Sequence, residues 1–146
     1  MARTDMFQCS VITPERKALE CDATFVAFPA HDGEMGILTG RAPLVCKLGI
    51  GALRIETSDP NRDRKGAATT KQHVLFIDGG FAQVVDNRLT ILTEQARKPE
   101  DLDAAAAGEA LVEARAMKIT DETSFTARDK AVKRAQVQLK LSTSTT

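Results

Sequence analysis

The run Asp32–Leu44, DGEMGILTGRAPL, is the most closely specified stretch of this 146-residue chain. Three glycines and a proline punctuate its thirteen residues, which predicts a loop with a defined backbone path. No Gly-Lys-Ser/Thr follows the glycines, so the run is not a phosphate-binding loop, and the glycine spacing is not that of a dinucleotide-binding turn. A loop shaped this closely without catalytic groups predicts a docking surface.

The chain on either side of this run carries strand signals from residue 7 to about residue 95. Apolar and polar residues alternate in Phe7–Val11, which is the period of a β-strand. Thr24–Phe28 is a β-branched and aromatic run that ends at Pro29. Asp86 and Asn87 tolerate the left-handed conformation, so this pair predicts a tight hairpin turn. About nine or ten such strands are typical of a β-sandwich or a barrel.

After Pro99 the period becomes that of helices. A proline followed by acidic residues predicts a helix start at Pro99, and the alanine-rich sequence continues the helix through Lys118. Residues 120–124 form a break, after which apolar residues recur at helical spacing to Leu141. The pattern predicts an antiparallel two-helix hairpin.

The chain therefore divides into a β-sandwich domain, 1–98, and a C-terminal helical hairpin, 99–146. The hairpin has few large apolar residues, so we expect it to be weakly held and mobile. Its first helix is acidic, whereas the second is basic. Two interpretations of this asymmetry stay open: solvated faces that attract each other, or a basic helix that also meets an acidic partner.

Composition excludes several function classes. The formal net charge is zero and aromatic residues make up 4%, which argues against nucleic-acid binding and against carbohydrate binding by exposed rings. The segment 58–66 holds Arg62, Arg64 and Lys65, but acids dilute their charge, and we interpret it as a solvated loop. Apolar runs are far shorter than the ~20 residues that span a bilayer, so any membrane association is expected to come through a partner.

Residues that could carry chemistry are sparse. The two histidines, His31 and His73, lie in different motifs without a metal-ligand spacing, so we expect no metal site. The three cysteines form no Cys-x-x-Cys and are expected to be reduced and mostly buried. His31-Asp32 lacks an accompanying nucleophile or oxyanion donor. The sequence therefore predicts no cofactor, no catalytic residue and no enzyme activity of the isolated chain.

The Asp32–Leu44 run resembles the Asp/Glu-Gly-Glu-Leu-Gly-Ile-Leu-Pro-Gly-His-Ala-Pro-Leu signature of the epsilon subunit of F-type ATP synthases, called delta in mitochondria. Four more segments resemble that family and come in the same order along the chain: Val11–Arg16, Gly51–Ile55, Phe76–Val84 and Leu89–Ala96. Of these, Phe76–Val84 resembles the family's Gly-Gly-Phe hairpin.

This resemblance implies a non-catalytic rotor subunit in the central stalk of a proton-translocating F-type ATP synthase. The sandwich would dock on the gamma subunit and on the polar loops of the c-ring, coupling ring rotation to ATP synthesis. The hairpin would extend toward an acidic segment of the catalytic beta subunit and suppress ATP hydrolysis. The subunit would be peripheral, on the cytoplasmic side of the bacterial inner membrane.

The resemblance also assigns candidate site residues. Glu34 matches the family's acidic position facing the c-ring, with Met35 and Gly36 beside it. The gamma-facing side falls on three residues, Arg41, Ala42 and Pro43, of which Arg41 replaces the signature's histidine. The regulatory hairpin residues are Asp103, Arg128, Lys130, Lys133 and Arg134.

Some bacterial epsilon subunits bind ATP through an Ile/Leu-Asp-x-x-Arg-Ala motif and through arginines of the second helix. Here Asp103 is retained, but Ala106 stands in place of the motif's arginine. On the second helix Arg134 matches one arginine, whereas Gln138 replaces another. Guanidinium groups hold phosphates through paired hydrogen bonds, so we expect ATP to bind poorly, if at all.

Two alternatives from other functional classes stay open from the sequence. A β-sandwich with a helical appendage is also suited to be a ligand-binding module, which would not bind the gamma subunit. A hydrolase would show turnover by the purified chain.

Overall fold

The computed structural model describes residues 6–58 and 70–143. Within these ranges the chain forms ten β-strands in two five-stranded sheets, followed by two α-helices. This confirms the predicted β-sandwich followed by a helical hairpin. Most of the polar segment interpreted as a solvated loop lies outside the described residues.

Sheet 1 has the strand order β2-β1-β9-β8-β5, in which β1 and β9 are parallel and the other pairs are antiparallel. Its strands are β1 (Phe7–Ile12), β2 (Lys17–Ala23), β5 (Leu44–Lys47), β8 (Phe81–Val85) and β9 (Arg88–Leu92). Sheet 2 has the order β10-β7-β6-β3-β4 and is antiparallel throughout. Its strands are β3 (Phe25–Ala30), β4 (Gly33–Leu38), β6 (Ile50–Ser58), β7 (Thr70–Asp78) and β10 (Ala96–Arg97).

The inner faces of the two sheets share one core. The alternation predicted for β1 places Cys9 and Val11 in this core with no exposed surface. Phe28 of β3 and Ile91 of β9 meet the same cluster from the two sheets. Each large apolar side chain buried in this way stabilises the fold by about 1.5–3 kcal/mol before entropy is counted.

The predicted Asp86-Asn87 turn is confirmed. Both residues have positive φ, 51° and 60°, and they join β8 to β9. The Asn87 side chain also accepts a hydrogen bond from the Gly40 N–H at 3.1 Å and donates one to the Met6 carbonyl at 2.9 Å. One turn residue therefore anchors both the chain end before β1 and the connection after β4.

Three local predictions around the sandwich are wrong. The first half of the Asp32–Leu44 run is not a loop, because Gly33–Leu38 pairs with β3 as an edge strand. The strand β3 does not end at Pro29 but continues to Ala30. Its residue-by-residue pairing with β6 stops at Ala27. The missing N–H of Pro29 therefore removes no hydrogen bond from that pairing.

Phe76–Val84 is also not a hairpin. β7 belongs to sheet 2 and β8 belongs to sheet 1, so Gly79 and Gly80 carry the chain from one sheet to the other. Both glycines have positive φ. A Cβ on Gly80 would lie 1.8 Å from the Leu92 carbonyl oxygen, so only glycine allows this close crossing.

The first helix of the hairpin differs from the prediction at both ends. Pro99–Asp101 forms a separate 3₁₀ turn, and α1 runs over Ala104–Arg115. Asp103 is the N-cap, because its carboxylate accepts a hydrogen bond from the Ala105 N–H at 2.9 Å. The helix thus begins after Pro99 and ends before Lys118.

The second helix, α2, covers Glu122–Thr143. At its start, the Ser124 N–H donates to the Asp121 carboxylate at 2.8 Å and the Asp121 N–H donates to the Ser124 hydroxyl at 3.0 Å. This reciprocal pair satisfies donors at the helix start. The Ser124 hydrogen bonds lower the pKa of the Asp121 carboxyl, whereas the slight desolvation opposes them.

The hairpin packs against the outer face of sheet 2 through α2. Phe76 is fully buried there, and an outer cluster forms around it from Ile50, Leu102, Val137 and Leu141. Arg134 Nε lies 2.6 Å from Asp78 Oδ2 and adds an ion pair between helix and sheet. The two helices meet through small residues, of which Ala107, Ala114 and Ala135 are buried.

Candidate interaction surfaces

The first candidate surface is the β4 edge of sheet 2, which carries the three residues assigned to the c-ring. Glu34 is exposed and pairs with Arg54 of β6. Gly36 is exposed, and a Cβ there would come 3.0 Å from the Phe25 ring. Met35 is half-buried and packs against the core. The strand therefore leaves Glu34 at the surface, while Met35 packs the strand against the sandwich.

The second candidate surface is the connection between β4 and β5, which holds the three residues assigned to gamma. Arg41, Ala42 and Pro43 are all exposed. Asn87 holds the start of this connection, because its side-chain oxygen accepts from the Gly40 N–H and lies 3.2 Å from the Thr39 hydroxyl. The connection is thus positioned by a turn that is distant in sequence.

A third surface, which was not predicted from the sequence, lies on the outer face of sheet 1. Its apolar residues are largely exposed: Val45 (69%), Phe81 (54%), Leu92 (46%) and Val85 (41%). Phe81 lies opposite Leu92 on one neighbouring strand and opposite Lys47 on the other. We call Val45, Phe81, Val85 and Leu92 the apolar outer face of sheet 1. The sequence Phe81–Val85 indicates this surface, because apolar residues occupy both its inward-facing and its outward-facing positions.

This apolar face adjoins the second surface. Leu44, the residue after Pro43, pairs with Val84, and Val45 follows it outward on β5. Arg41–Pro43 therefore lies at the rim of the apolar outer face. An apolar centre with a polar, solvent-accessible rim is the usual anatomy of a protein interface, and Arg41 supplies a polar group at this rim.

Of the five hairpin residues that the resemblance assigns to regulation, three make contacts that hold them in place. Asp103 caps α1, and Arg134 is held by Asp78. Arg128 donates to the Arg115 carbonyl at 3.3 Å, which ties the two helices together. Lys130 and Lys133 are exposed, and neither takes part in the ion pairs of the described residues.

Two of the positions compared with the ATP-binding motif, Arg134 and Gln138, lie at the groove between the two helices. Arg134 and Gln138 line a cavity of about 320 Å³ there. The guanidinium of Arg134 points to Asp78 instead, with its Nη2 3.4 Å from the other carboxylate oxygen. Ala106, in place of the motif's arginine, lies exposed on α1.

The remaining chemistry-bearing groups are dispersed. In residues 6–58 and 70–143 no three His, Cys, Asp or Glu side chains gather as a metal ion would require. The cysteines are free: Cys9 is buried, and Cys21 and Cys46 are half-buried. Burial, together with the neighbouring Cys21, raises the pKa of the Cys9 thiol to about 12, so Cys9 is an inert core residue at neutral pH. Over the same residues, no helix is long and apolar enough to cross a membrane.

Comparison with known proteins agrees with the fold. The family model described as ATP synthase, Delta/Epsilon chain, beta-sandwich domain, matches residues 6–99. The chain belongs to this family. The family resemblance inferred from its motifs is therefore confirmed.

Relatives of the family match over nearly the whole chain. It is 41% identical over 136 residues to the ATP synthase epsilon chain of Rhodopirellula baltica, covering 92% of this chain and 97% of the relative. It is 32% identical over 137 residues to the ATP synthase epsilon chain of Granulibacter bethesdensis, covering 93% of this chain and 92% of that relative.

Two solved assemblies contain chains of similar structure. One is the Euglena gracilis mitochondrial ATP synthase, OSCP/F1/c-ring, with a TM-score of 0.73 and 26% identity over 90% of this chain and 78% of that chain. The other is the central stalk and c-ring of the Tetrahymena thermophila mitochondrial ATP synthase, with a TM-score of 0.68 over 92% of this chain and 95% of that chain. At 14% identity the second likeness supports the fold alone.

Proposed function

We propose that this chain is the epsilon-type subunit of the central stalk of a proton-translocating F-type ATP synthase, where it couples c-ring rotation to ATP synthesis. The observation that carries the proposal is the match to an epsilon chain over 92% of this chain and 97% of the relative, which includes the hairpin. The subunit is non-catalytic, and it is peripheral on the cytoplasmic side of the bacterial inner membrane through its partners.

The sandwich, residues 1–98, is the torque-transmitting part. Its two sheets share one core, so a force on β4 reaches β8 through packed side chains rather than through a hinge. Glu34 at the β4 edge meets the polar loops of the c-ring. Arg54 neutralises Glu34 in the free subunit, so a partner that pairs with Glu34 competes with Arg54.

The apolar outer face of sheet 1 is the gamma-binding surface, together with Arg41–Pro43 at its rim. The four apolar side chains are exposed in the isolated subunit and would be buried by gamma. A central aromatic residue is a frequent hot spot of such interfaces, which makes Phe81 the expected anchor.

The gamma assignment is tested by titrating purified gamma with Phe81→Asp and with Val112→Asp. Val112 is 70% exposed on α1, so its substitution is a matched apolar-to-acidic control. We expect Phe81→Asp to weaken gamma binding by 2 kcal/mol or more, about thirtyfold, and Val112→Asp to leave it unchanged. Equal binding by both variants would remove gamma from this face.

The c-ring contact is tested in the assembled complex with Glu34→Lys. Reversal of this exposed charge is expected to weaken coupling between ion flow and synthesis without unfolding the chain. Glu100→Lys, at an exposed position beyond the sandwich strands, is the control. Normal pumping and synthesis by Glu34→Lys would place the c-ring contact elsewhere.

The hairpin, residues 99–146, is the regulatory part that inhibits ATP hydrolysis. Neither Lys130 nor Lys133 is in an ion pair among the residues that the structure describes, so both can meet an acidic segment of the catalytic beta subunit when α2 leaves sheet 2. Lys130→Glu with Lys133→Glu should raise hydrolysis by the complex and leave synthesis intact. Unchanged hydrolysis would leave the hairpin a structural role only.

The docked hairpin binds ATP poorly. The retained arginine, Arg134, is already held by Asp78, and the other two arginine positions carry Ala106 and Gln138. Loss of two charge-assisted contacts costs several kcal/mol at ~1.5–3 kcal/mol each. Calorimetric titration of the subunit should show no micromolar ATP site, and a micromolar dissociation constant would contradict this.

A further inference from the structure

Two adjoining cavities lie along the seam between α2 and sheet 2. The first has a volume of about 580 Å³, and the second about 540 Å³. His31, Ile50 and Lys133 line both, so the two cavities meet at these residues. Each volume is within the range of small-molecule sites.

The first cavity has an aliphatic floor. It is formed from both sides of the seam by Pro29, Ile50, Ala52, Val74, Val137 and Leu141. Among the described residues that line it there is no amide or hydroxyl side chain, and His31 is the one aromatic side chain. A sugar or a base would lack hydrogen-bond and stacking partners on this floor, whereas an alkyl chain needs none.

The charges of the first cavity are mostly positive. Glu34 is its one described carboxylate and pairs with Arg54. Lys133 and Lys140 stand on the helix side, about 10 Å apart along α2 by the helical rise, and neither is in an ion pair of the described residues.

Positive charge continues into the second cavity. Lys47 and Lys130 join Lys133 there, and the carboxylates that face them are Glu94, Asp129 and the Asp78 already held by Arg134. The seam therefore has an aliphatic channel that leads to a cluster of lysines at its His31 end.

We propose that this seam binds an amphiphilic anion, an aliphatic chain with a carboxylate or phosphate head group. The chain lies on the floor between Val74 and Val137, and the head group is met by Lys133 with Lys47 and Lys130. Because the ligand contacts both α2 and sheet 2, it holds the hairpin in the docked position. The site belongs to the isolated chain and does not require gamma, the c-ring or ATP.

The test uses the full chain, decanoate as the probe and methyl NMR as the readout. Decanoate should shift the methyl signals of Val74 and Val137 saturably and slow amide hydrogen exchange in α2. Decanol, which lacks the charge, should bind at least about tenfold more weakly. Shifts confined to the apolar outer face of sheet 1, or equal binding of decanol, would overturn the proposal.

Two variants and one control distinguish the contribution of the lysine charge to decanoate binding from that of the space above the cavity floor. Lys133→Gln should weaken decanoate binding by about tenfold, whereas Lys118→Gln, at an exposed lysine away from the seam, should not change it. Ala52→Leu should fill the floor and abolish binding, with thermal unfolding as the check on its fold. If Ala52→Leu does not fold, Lys133→Gln still decides, and undiminished binding by it would refute the site.

Inorganic phosphate and ATP are tested as competitors of decanoate. Phosphate should displace decanoate only weakly, because it lacks the chain. Displacement by ATP in the micromolar range would refute the aliphatic assignment.

Discussion

The two sheets bury their inner faces in one core, but their outer faces differ. Phe76 of β7, on the outer face of sheet 2, is completely buried beneath the hairpin. Phe81 of β8, only five residues later, lies on the outer face of sheet 1 and is 54% exposed. The chain supplies a helical cover for one sheet and leaves an apolar surface on the other. We expect the uncovered face to be the one that a partner subunit buries.

The largest expected difference is between the alanine substitutions of these two phenylalanines. Phe76→Ala should lower the free energy of unfolding by about 3–5 kcal/mol, because it opens a cavity under α2. Phe81→Ala should change it by less than ~1 kcal/mol, since half of the ring is already in water. Urea unfolding followed by circular dichroism measures both. Equal losses would mean that the two faces do not differ as described.

A smaller effect is expected from the ion pair that holds α2 on sheet 2. The Asp78 side chain is 12% exposed and that of Arg134 is 37% exposed. Asp78→Ala should therefore cost about 1–3 kcal/mol, mainly because it leaves a partly desolvated guanidinium without its partner. A double-mutant cycle with Arg134→Ala isolates the coupling between them.

The control for this ion pair is the one at the β4 edge. Glu34 and Arg54 are 59% and 45% exposed, so Glu34→Ala should cost no more than ~1 kcal/mol. If Asp78→Ala is as mild as Glu34→Ala, the ion pair at the seam does not hold the hairpin.

A further small effect on stability is expected at the rim of the apolar outer face. Asn87→Gly keeps the left-handed turn but removes the hydrogen bonds to Gly40 and Met6, whereas Asn87→Ala also strains the backbone. We expect about 1 kcal/mol from Asn87→Gly and more from Asn87→Ala. Hydrogen exchange at Gly40 should accelerate in both. Unchanged exchange would show that another contact positions Arg41–Pro43.

The parts of the fold that sequence predicts are those decided locally. The alternation in β1, the left-handed pair Asp86-Asn87 and the helical spacing before Leu141 each depend on a few neighbouring residues. Sheet membership is a long-range property, so the local sequence predicts a hairpin at Gly79–Gly80, where the chain in fact changes sheet. The glycines of β4 suggested a loop, although an edge strand tolerates them.

The candidate surfaces were predictable only in part. The family motif points to Glu34 and to Arg41–Pro43 because these residues are contiguous in sequence. The apolar outer face of sheet 1 draws on β5, β8 and β9, and only strand pairing brings them together. The role of Asp103 also needed the structure, since an aspartate two residues before an alanine becomes a cap only once the helix start is known.

Hydrogen exchange of the full chain with and without purified gamma shows which outer face of the sandwich gamma covers. We expect gamma to protect Leu44–Lys47, Phe81–Val85 and the connection 39–43, and to leave amide exchange in α2 and in sheet 2 unchanged. Protection confined to Glu122–Thr143 and β6, with none on β5 and β8, would contradict this expectation, because gamma would then bind the covered side of the sandwich.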